Sequence, residues 1–257
     1  MDQKDIILHH LKEIEQEEDV KILLAVESGS RAWGFSSPDS DWDVRFLYIH
    51  RPEWYLSIRE GRDVVERMYD DETDASGWDL KKALRLMGQS NSSLFEWLDS
   101  PIVYRRDDDF MEDFRDLAKL YFNPAKVLAK YRGLYINHNE RYLQDNDFPL
   151  KRFLYYLRGV LACRWVEQFR TMPPVLFAEL VDTLVDDSDI KERIAHILDL
   201  KSRSNEHNNM PVDPVLRDYA NNIADYYAEL DLTPLAMEYP GDEKSNRFFY
   251  DSVLKLL

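Results

Sequence analysis

The sequence predicts an α+β protein: a small mixed β-sheet with flanking helices over residues 1–105, followed by an all-helical C-terminal domain over 106–257. Three observations carry this. Short runs rich in β-branched and aromatic residues are confined to the stretch before Asp107. From there on the apolar spacing is helical only. Pro124, Pro149, Pro173-Pro174, Pro211 and Pro240 punctuate that second part, as residues that open helices or forbid their continuation.

In chain order, residues 3–18 place Ile6, Ile7, Leu11 and Ile14 at helical spacing and end in acids. Lys21-Ile22-Leu23-Leu24-Ala25-Val26 is a short apolar run suited to a buried strand. Asp43 to Ile49 reads as a second strand, stopped by Arg51-Pro52. Val64 to Tyr69 makes a third, and Asp70-Asp71-Glu72 turns the chain back through Thr73-Asp74-Ala75. Helical pattern resumes at Ser76, where Ser76-x-x-Asp79 has the form of a capping box ahead of Leu80, Ala83, Leu84 and Met87. Asn91 is the expected N-cap of a short helix carrying Leu94, Phe95 and Leu98, and Ile102-Val103-Tyr104 a last short strand. Beyond it, helices are expected over 107–120, 124–144, 149–170, 174–185, 188–202, 212–230 and 245–256. No internal repeat or low-complexity linker interrupts them.

Composition narrows the function. The chain has 257 residues, 44% of them hydrophobic, enough for a sizeable core. No run reaches the roughly 18 apolar residues of a membrane span, and the N-terminus lacks the layout of a signal peptide, so a cytoplasmic protein with no membrane partner is expected. Cys163 is the only cysteine, which excludes an intramolecular disulfide and a thiolate metal cluster within one chain. With 33 Lys/Arg against 49 Asp/Glu the net charge is −16, which argues against nonspecific coating of nucleic acid. The stretch from Lys119 to Arg170 runs the other way, with ten Lys/Arg against four acids. It is either a set of solvated helix faces or a wall that receives an anionic substrate.

The chemistry is concentrated in Glu27-Ser28-Gly29-Ser30-Arg31-Ala32-Trp33-Gly34-Phe35-Ser36-Ser37-Pro38-Asp39-Ser40-Asp41-Trp42-Asp43-Val44. Gly29-Ser30 follows an apolar strand and opens a short helical segment, so its backbone N–H groups can meet phosphate oxygens. Asp41 and Asp43 lie two apart at the start of the next strand, which puts both carboxylates on one face. They repel each other unless a cation lies between them, and hard oxygen ligands suit Mg²⁺ or Mn²⁺. An EF-hand is excluded, because the loop from Asp39 would have Val44 for the required glycine and His50 for the closing glutamate.

The segment resembles the signature of the DNA polymerase β-type nucleotidyltransferases: Gly-Ser, a spacer of about ten residues, then Asp-apolar-Asp-apolar. Ser28 departs from that pattern, since an apolar residue commonly stands there. Three further blocks narrow the resemblance: Asp74 to Leu84, Ser90 to Leu98, and Lys151 to Arg158. Together with the central stretch they resemble the predicted nucleotidyltransferases of an RNA-repair pathway, over most of residues 27–175. The resemblance implies transfer of an NMP from an NTP co-substrate to an acceptor hydroxyl, with two metal ions at Asp41 and Asp43 and a third carboxylate from a neighbouring strand. That third group is assigned to Asp74, with Asp79 its rival; Asp79 is also explained by the capping box, and Asp70 and Asp71 by the turn. Gly29, Ser30, Arg31 and Lys151 are the expected nucleotide-binding residues.

Plainer readings stand beside these. Gly29 alone could be a helix-start turn, Arg31 a solvated arginine, and Lys151 or its neighbour Arg152 surface charge. Trp33, Trp42, Trp78 and Trp97 are expected to pack, and His138 is expected to be a surface or core histidine. The acceptor is expected to be an RNA end; a cationic small molecule or a protein hydroxyl is the alternative within enzymes. A catalytically silent nucleotide-binding module is the alternative from another class.

Overall fold

A computed structural model describes residues 2–142, 147–203, 209–211 and 213–255, with side chains over 2–134, 150–203 and 213–255. The chain forms two compact units: 1–29, 41–122 and 238–257 make the first, and 30–40 with 123–237 the second.

The first unit opens with α1 (Gln3–Glu17), which leads into β1 (Val20–Glu27). After α2 (Gly29–Ala32), which begins on the last residue of this unit, come β2 (Trp42–His50), α3 (Pro52–Tyr55), β3 (Val64–Met68) and β4 (Thr73–Asp79). Then follow α4 (Leu80–Gly88), α5 (Ser92–Leu98), β5 (Val103–Arg106) and α6 (Asp108–Tyr121). The strands form a mixed sheet in the order β3-β4-β2-β1-β5, in which β2 and β4 run parallel and the other pairs antiparallel. Buried Ile7, Leu11 and Ile14 lay the apolar stripe of α1 on one face, against Ile22, Ala25, Val44, Phe46, Tyr48 and Ala75. Each such burial contributes about 1.5–3 kcal/mol relative to exposure. Residues 44, 46 and 48 of β2 and 75 of β4 therefore face α1, and the alternate residues face the other way.

The helix expected from Ser76 begins instead at Leu80. Ser76 lies inside β4, paired with Arg45 on one side and Glu66 on the other. A Cβ at Gly77 would stand 2.1 Å from the Phe46 ring, so glycine is what lets β4 pass that side chain. Two neighbouring strands override the local capping-box pattern, and Asp79 itself is the N-cap, accepting from the Lys81 N–H at 2.8 Å. Asn91 caps α5 as expected, accepting from the Leu94 N–H at 3.1 Å.

The second unit contains α7 (Pro124–Tyr142), β6 (Asp147–Pro149), α8 (Leu150–Phe169), α9 (Phe177–Leu184) and α10 (Ser188–Arg203). Next come β7 (Asn209–Pro211), α11 (Pro214–Glu229) and a 3₁₀ turn (Thr233–Leu235), and α12 (Glu243–Leu254) returns to the first unit. Among its described residues the only strands are the short antiparallel pair β6–β7. Helix α8 is buried nearly all round and is its centre; there burial pushes the Cys163 thiol well above its ordinary value. Among the described residues no helix is long and apolar enough to cross a membrane.

This division differs from a single boundary at 105/106 in two places. Helices α6 and α12 join the sheet unit, where Phe110 and Phe114 meet Phe248 at ring distances of 5.4 and 5.7 Å. Residues 30–40 join the helical unit through an aromatic cluster: Trp33 lies 4.7 Å from Tyr155, and Phe35 lies 5.6 Å from Phe177.

Candidate active site

Strand β1 ends at Glu27, and the Ser28 N–H donates to the Asp43 carbonyl at 2.8 Å, so the chain leaves the sheet beside Asp43. Gly29 then takes φ +61°, a left-handed conformation that costs other L-residues about 1–2 kcal/mol. A Cβ there would stand 2.2 Å from Asp43 Oδ2. Glycine is thus required twice, by its backbone and by a carboxylate against its α-carbon. The polar Ser28 leaves this turn intact because its backbone makes the link.

With Val44, Phe46 and Tyr48 turned to the core, Asp43 and Arg45 project from the opposite face. The parallel pairing sets Asp43 beside Asp74, so these two carboxylates share that face on neighbouring strands. Arg45 lies between them: its Nη2 donates to Asp43 Oδ1 and to Asp74 Oδ2, both at 2.8 Å, and its Nη1 donates to the Asp74 carbonyl at 2.7 Å. A cation holding the two together is what their mutual repulsion demands. Arg45 was not singled out from the sequence, although it lies two residues after Asp43 and the same alternation exposes it. Asp41 precedes the strand and is exposed, and among the described residues no three potential metal-ligating side chains converge. The donors nonetheless suit a hard divalent cation, being carboxylate oxygens on a face already built to take positive charge.

Glu27 braces this face from below. Fully buried, it accepts from the Asp43 N–H at 2.9 Å with one carboxylate oxygen and from the Tyr104 hydroxyl with the other.

Asp79 has a different role. It is fully buried, five positions beyond Asp74 and of opposite parity on β4, and besides capping α4 it accepts from the Tyr55 hydroxyl at 2.6 Å. His50 Nδ1 lies 3.0 Å from the same carboxylate, and the His50 ring stacks on Trp54 at 3.9 Å. Burial and the neighbouring Asp79 charge push the Tyr55 hydroxyl far above its ordinary value. This network anchors β2, α3 and α4, a larger structural task than the cap alone. Asp71 serves the turn after β3, accepting from the Thr73 N–H at 3.3 Å.

Ser30 is buried on α2, in the second unit. Arg31 is partly buried and tied to the segment that follows, its Nη2 donating to the Ser40 carbonyl at 2.6 Å. Lys151 stands on the first turn of α8, partly buried like Arg152. Trp78 and Trp97 stack at 3.8 Å as packing residues, Trp42 packs against the sheet core, and Trp33 carries the Arg158 guanidinium 4.3 Å from its ring. The basic stretch from Lys119 to Arg170 divides: Arg132 donates to the Tyr227 and Leu230 carbonyls that end α11, Lys119 pairs with Asp116, and Arg158 is buried. Lys126 and Lys130 are exposed one turn apart on α7. The His138 side chain lies outside the described residues, as do most of 202–207, for which the sequence suggested no role.

Comparison with known proteins agrees with the motif. The model of RlaP, described as the RNA repair pathway DNA polymerase beta family, matches residues 3–251. "Uncharacterized protein YcgL" of Bacillus subtilis (strain 168) is 44% identical over 203 residues, 79% of this chain and 78% of its own length. The crystal structure of a nucleotidyltransferase-like protein from Exiguobacterium sibiricum covers 95% of this chain and 78% of its own, at 12% identity and a TM-score of 0.35, a likeness too loose to carry weight. By the near-complete match to its model, the chain belongs to the RNA repair pathway DNA polymerase beta family and so to the polymerase β-like nucleotidyltransferases.

Proposed function

We propose that this protein is a metal-dependent nucleotidyltransferase that moves an NMP from an NTP to the hydroxyl of an RNA end and releases pyrophosphate. The observation that carries the reading is the pairing of Asp43 with Asp74 across parallel strands, held by a cation and approached by the Gly29 turn. Backbone N–H groups at Gly29 and Ser30 bind the β and γ phosphates, and Lys151 adds positive charge to the triphosphate. Asp41, Asp43 and Asp74 would hold two Mg²⁺ or Mn²⁺ ions, which would supply charge neutralisation and alignment of the phosphates. Asp74 accepts the proton of the acceptor hydroxyl. That oxygen forms a bond to the α-phosphorus, the bond from the α-phosphorus to the α,β-bridging oxygen breaks, and pyrophosphate leaves with the electron pair.

The family description and exposed Lys126 and Lys130 favour RNA. The net charge of −16 favours a cationic small molecule instead, the second reading, and a protein hydroxyl belongs with it as a non-RNA acceptor. Calorimetric titration with each NTP, with and without Mg²⁺, followed by a pyrophosphate-release assay, tests the proposal. Metal-dependent binding followed by release supports it; binding without release in the presence of RNA moves the acceptor to a small molecule or protein, and binding without release in whole-cell extract leaves a silent nucleotide-binding module.

A further inference from the structure

Helix α10 presents Ile190, Ile194, Ile197 and Lys201 along one buried stripe, and Lys201 is only 1% exposed. A lysine on a core stripe is unusual, because burying an ammonium costs free energy that an apolar residue of the same length does not. Its Nζ donates to Ser37 Oγ at 2.7 Å. Ser37 Oγ lies 3.0 Å from Ser40 Oγ, which also accepts from the Ser37 N–H at 2.9 Å and from the Ser30 hydroxyl at 3.4 Å. All four side chains are buried, and all belong to the helical unit.

The donor and acceptor capacities orient this relay. An ammonium can only donate, so Ser37 Oγ accepts from Lys201. Ser40 Oγ accepts from the Ser37 N–H and the Ser30 hydroxyl, and the two hydroxyls of Ser37 and Ser40 share a hydrogen bond that either can donate. A buried positive charge is thereby joined to Ser30 through three hydrogen bonds between side chains. In such a water-poor setting it favours an anion at Ser30 more than an exposed lysine does.

We infer that Lys201 is a positioning residue for the triphosphate, acting through Ser37 and Ser40 to hold Ser30 for the terminal phosphates. This rests on the reading of Gly29-Ser30 as the phosphate seat. The test measures dissociation constants of the full-length protein for the NTP and the NMP of one base, in Mg²⁺, for wild type, Lys201→Met and Ser37→Ala. Lys201→Met keeps the length and removes the charge; Ser37→Ala cuts the relay with the lysine retained and stands in should the first variant fail to fold. The expected result is weakening of NTP binding by about tenfold or more, with NMP binding changed less than about twofold, as befits loss of a relay that holds Ser30 for the terminal phosphates. Equal weakening for NTP and NMP identifies a brace for the whole segment and overturns the inference, as do variants that keep the wild-type preference for NTP. A wild type that binds no NTP removes the phosphate seat itself, and the inference with it.

Discussion

Replacing Gly29 with alanine probes the structure where its backbone and its chemistry meet. At φ +61° an alanine costs about 1–2 kcal/mol of strain. Its Cβ would also lie 2.2 Å from Asp43 Oδ2, so the carboxylate must retreat by about 1 Å to reach ordinary contact. For a chain of this size the strain lowers the melting temperature by about 2–8 °C. Displacement of a reacting group by about 1 Å lowers turnover by about a hundredfold. Gly241→Ala separates the two effects, because Gly241 has φ +80° with nothing near its missing Cβ. It should lose comparable stability and keep its activity. Melting curves and label transfer from NTP measure both variants. Wild-type turnover in Gly29→Ala would refute the placement of Asp43 at the chemistry, and equal loss of activity in Gly241→Ala would show that strain alone is responsible.

The other predictions test separate parts of the account. Asp41→Asn and Asp43→Asn should each abolish transfer in a protein that still melts cooperatively; near-wild-type turnover of either at saturating Mg²⁺ contradicts the site. Asp79→Ala should cost about 3 kcal/mol or more, since it leaves the Tyr55 hydroxyl and the Lys81 N–H unsatisfied, while the folded fraction keeps its activity; a stable but inactive variant would make Asp79 the third carboxylate. Because the fold raises the Tyr55 hydroxyl above the ordinary value of 10.0, it binds a proton there that the unfolded chain releases. That contribution is intact below about pH 10 and is lost as the pH rises further, so Tyr55→Phe should flatten the alkaline fall in melting temperature, and an unchanged fall speaks against it. Lys126→Glu with Lys130→Glu should weaken RNA binding and lower its log–log salt slope by about 1.4–1.8 in total, leaving NTP affinity unchanged; an unchanged slope moves the acceptor to a small molecule or protein.

Much of this was legible in the sequence, and the illegible parts share a cause. The spacing of Gly29-Ser30 to Asp43 is local, and alternation along β2 turns Asp43 away from the core side chains Val44, Phe46 and Tyr48, whereas Asp41 precedes the strand and alternation does not place it. That Asp74 pairs with Asp43 depends on β4 lying parallel beside β2, which the intervening residues do not announce. The same pairing drew Ser76 and Gly77 into a strand, against a local pattern that read as a helix start. Segment 30–40 joins the helical unit through Tyr155 and Phe177, partners more than a hundred residues away. Arg45 and Lys201 were within reach: the first continues the alternation of β2, and the second continues the Ile190, Ile194, Ile197 spacing of α10.

The most direct measurement of the central claim incubates the protein with each α-labelled NTP, Mg²⁺ and total cellular RNA, and follows the label. The account predicts that wild type moves label from at least one NTP onto RNA with stoichiometric pyrophosphate, and that Asp43→Asn or a chelator abolishes the transfer. Absence of transfer and of pyrophosphate release with every NTP, in Mg²⁺ and in Mn²⁺, would contradict it.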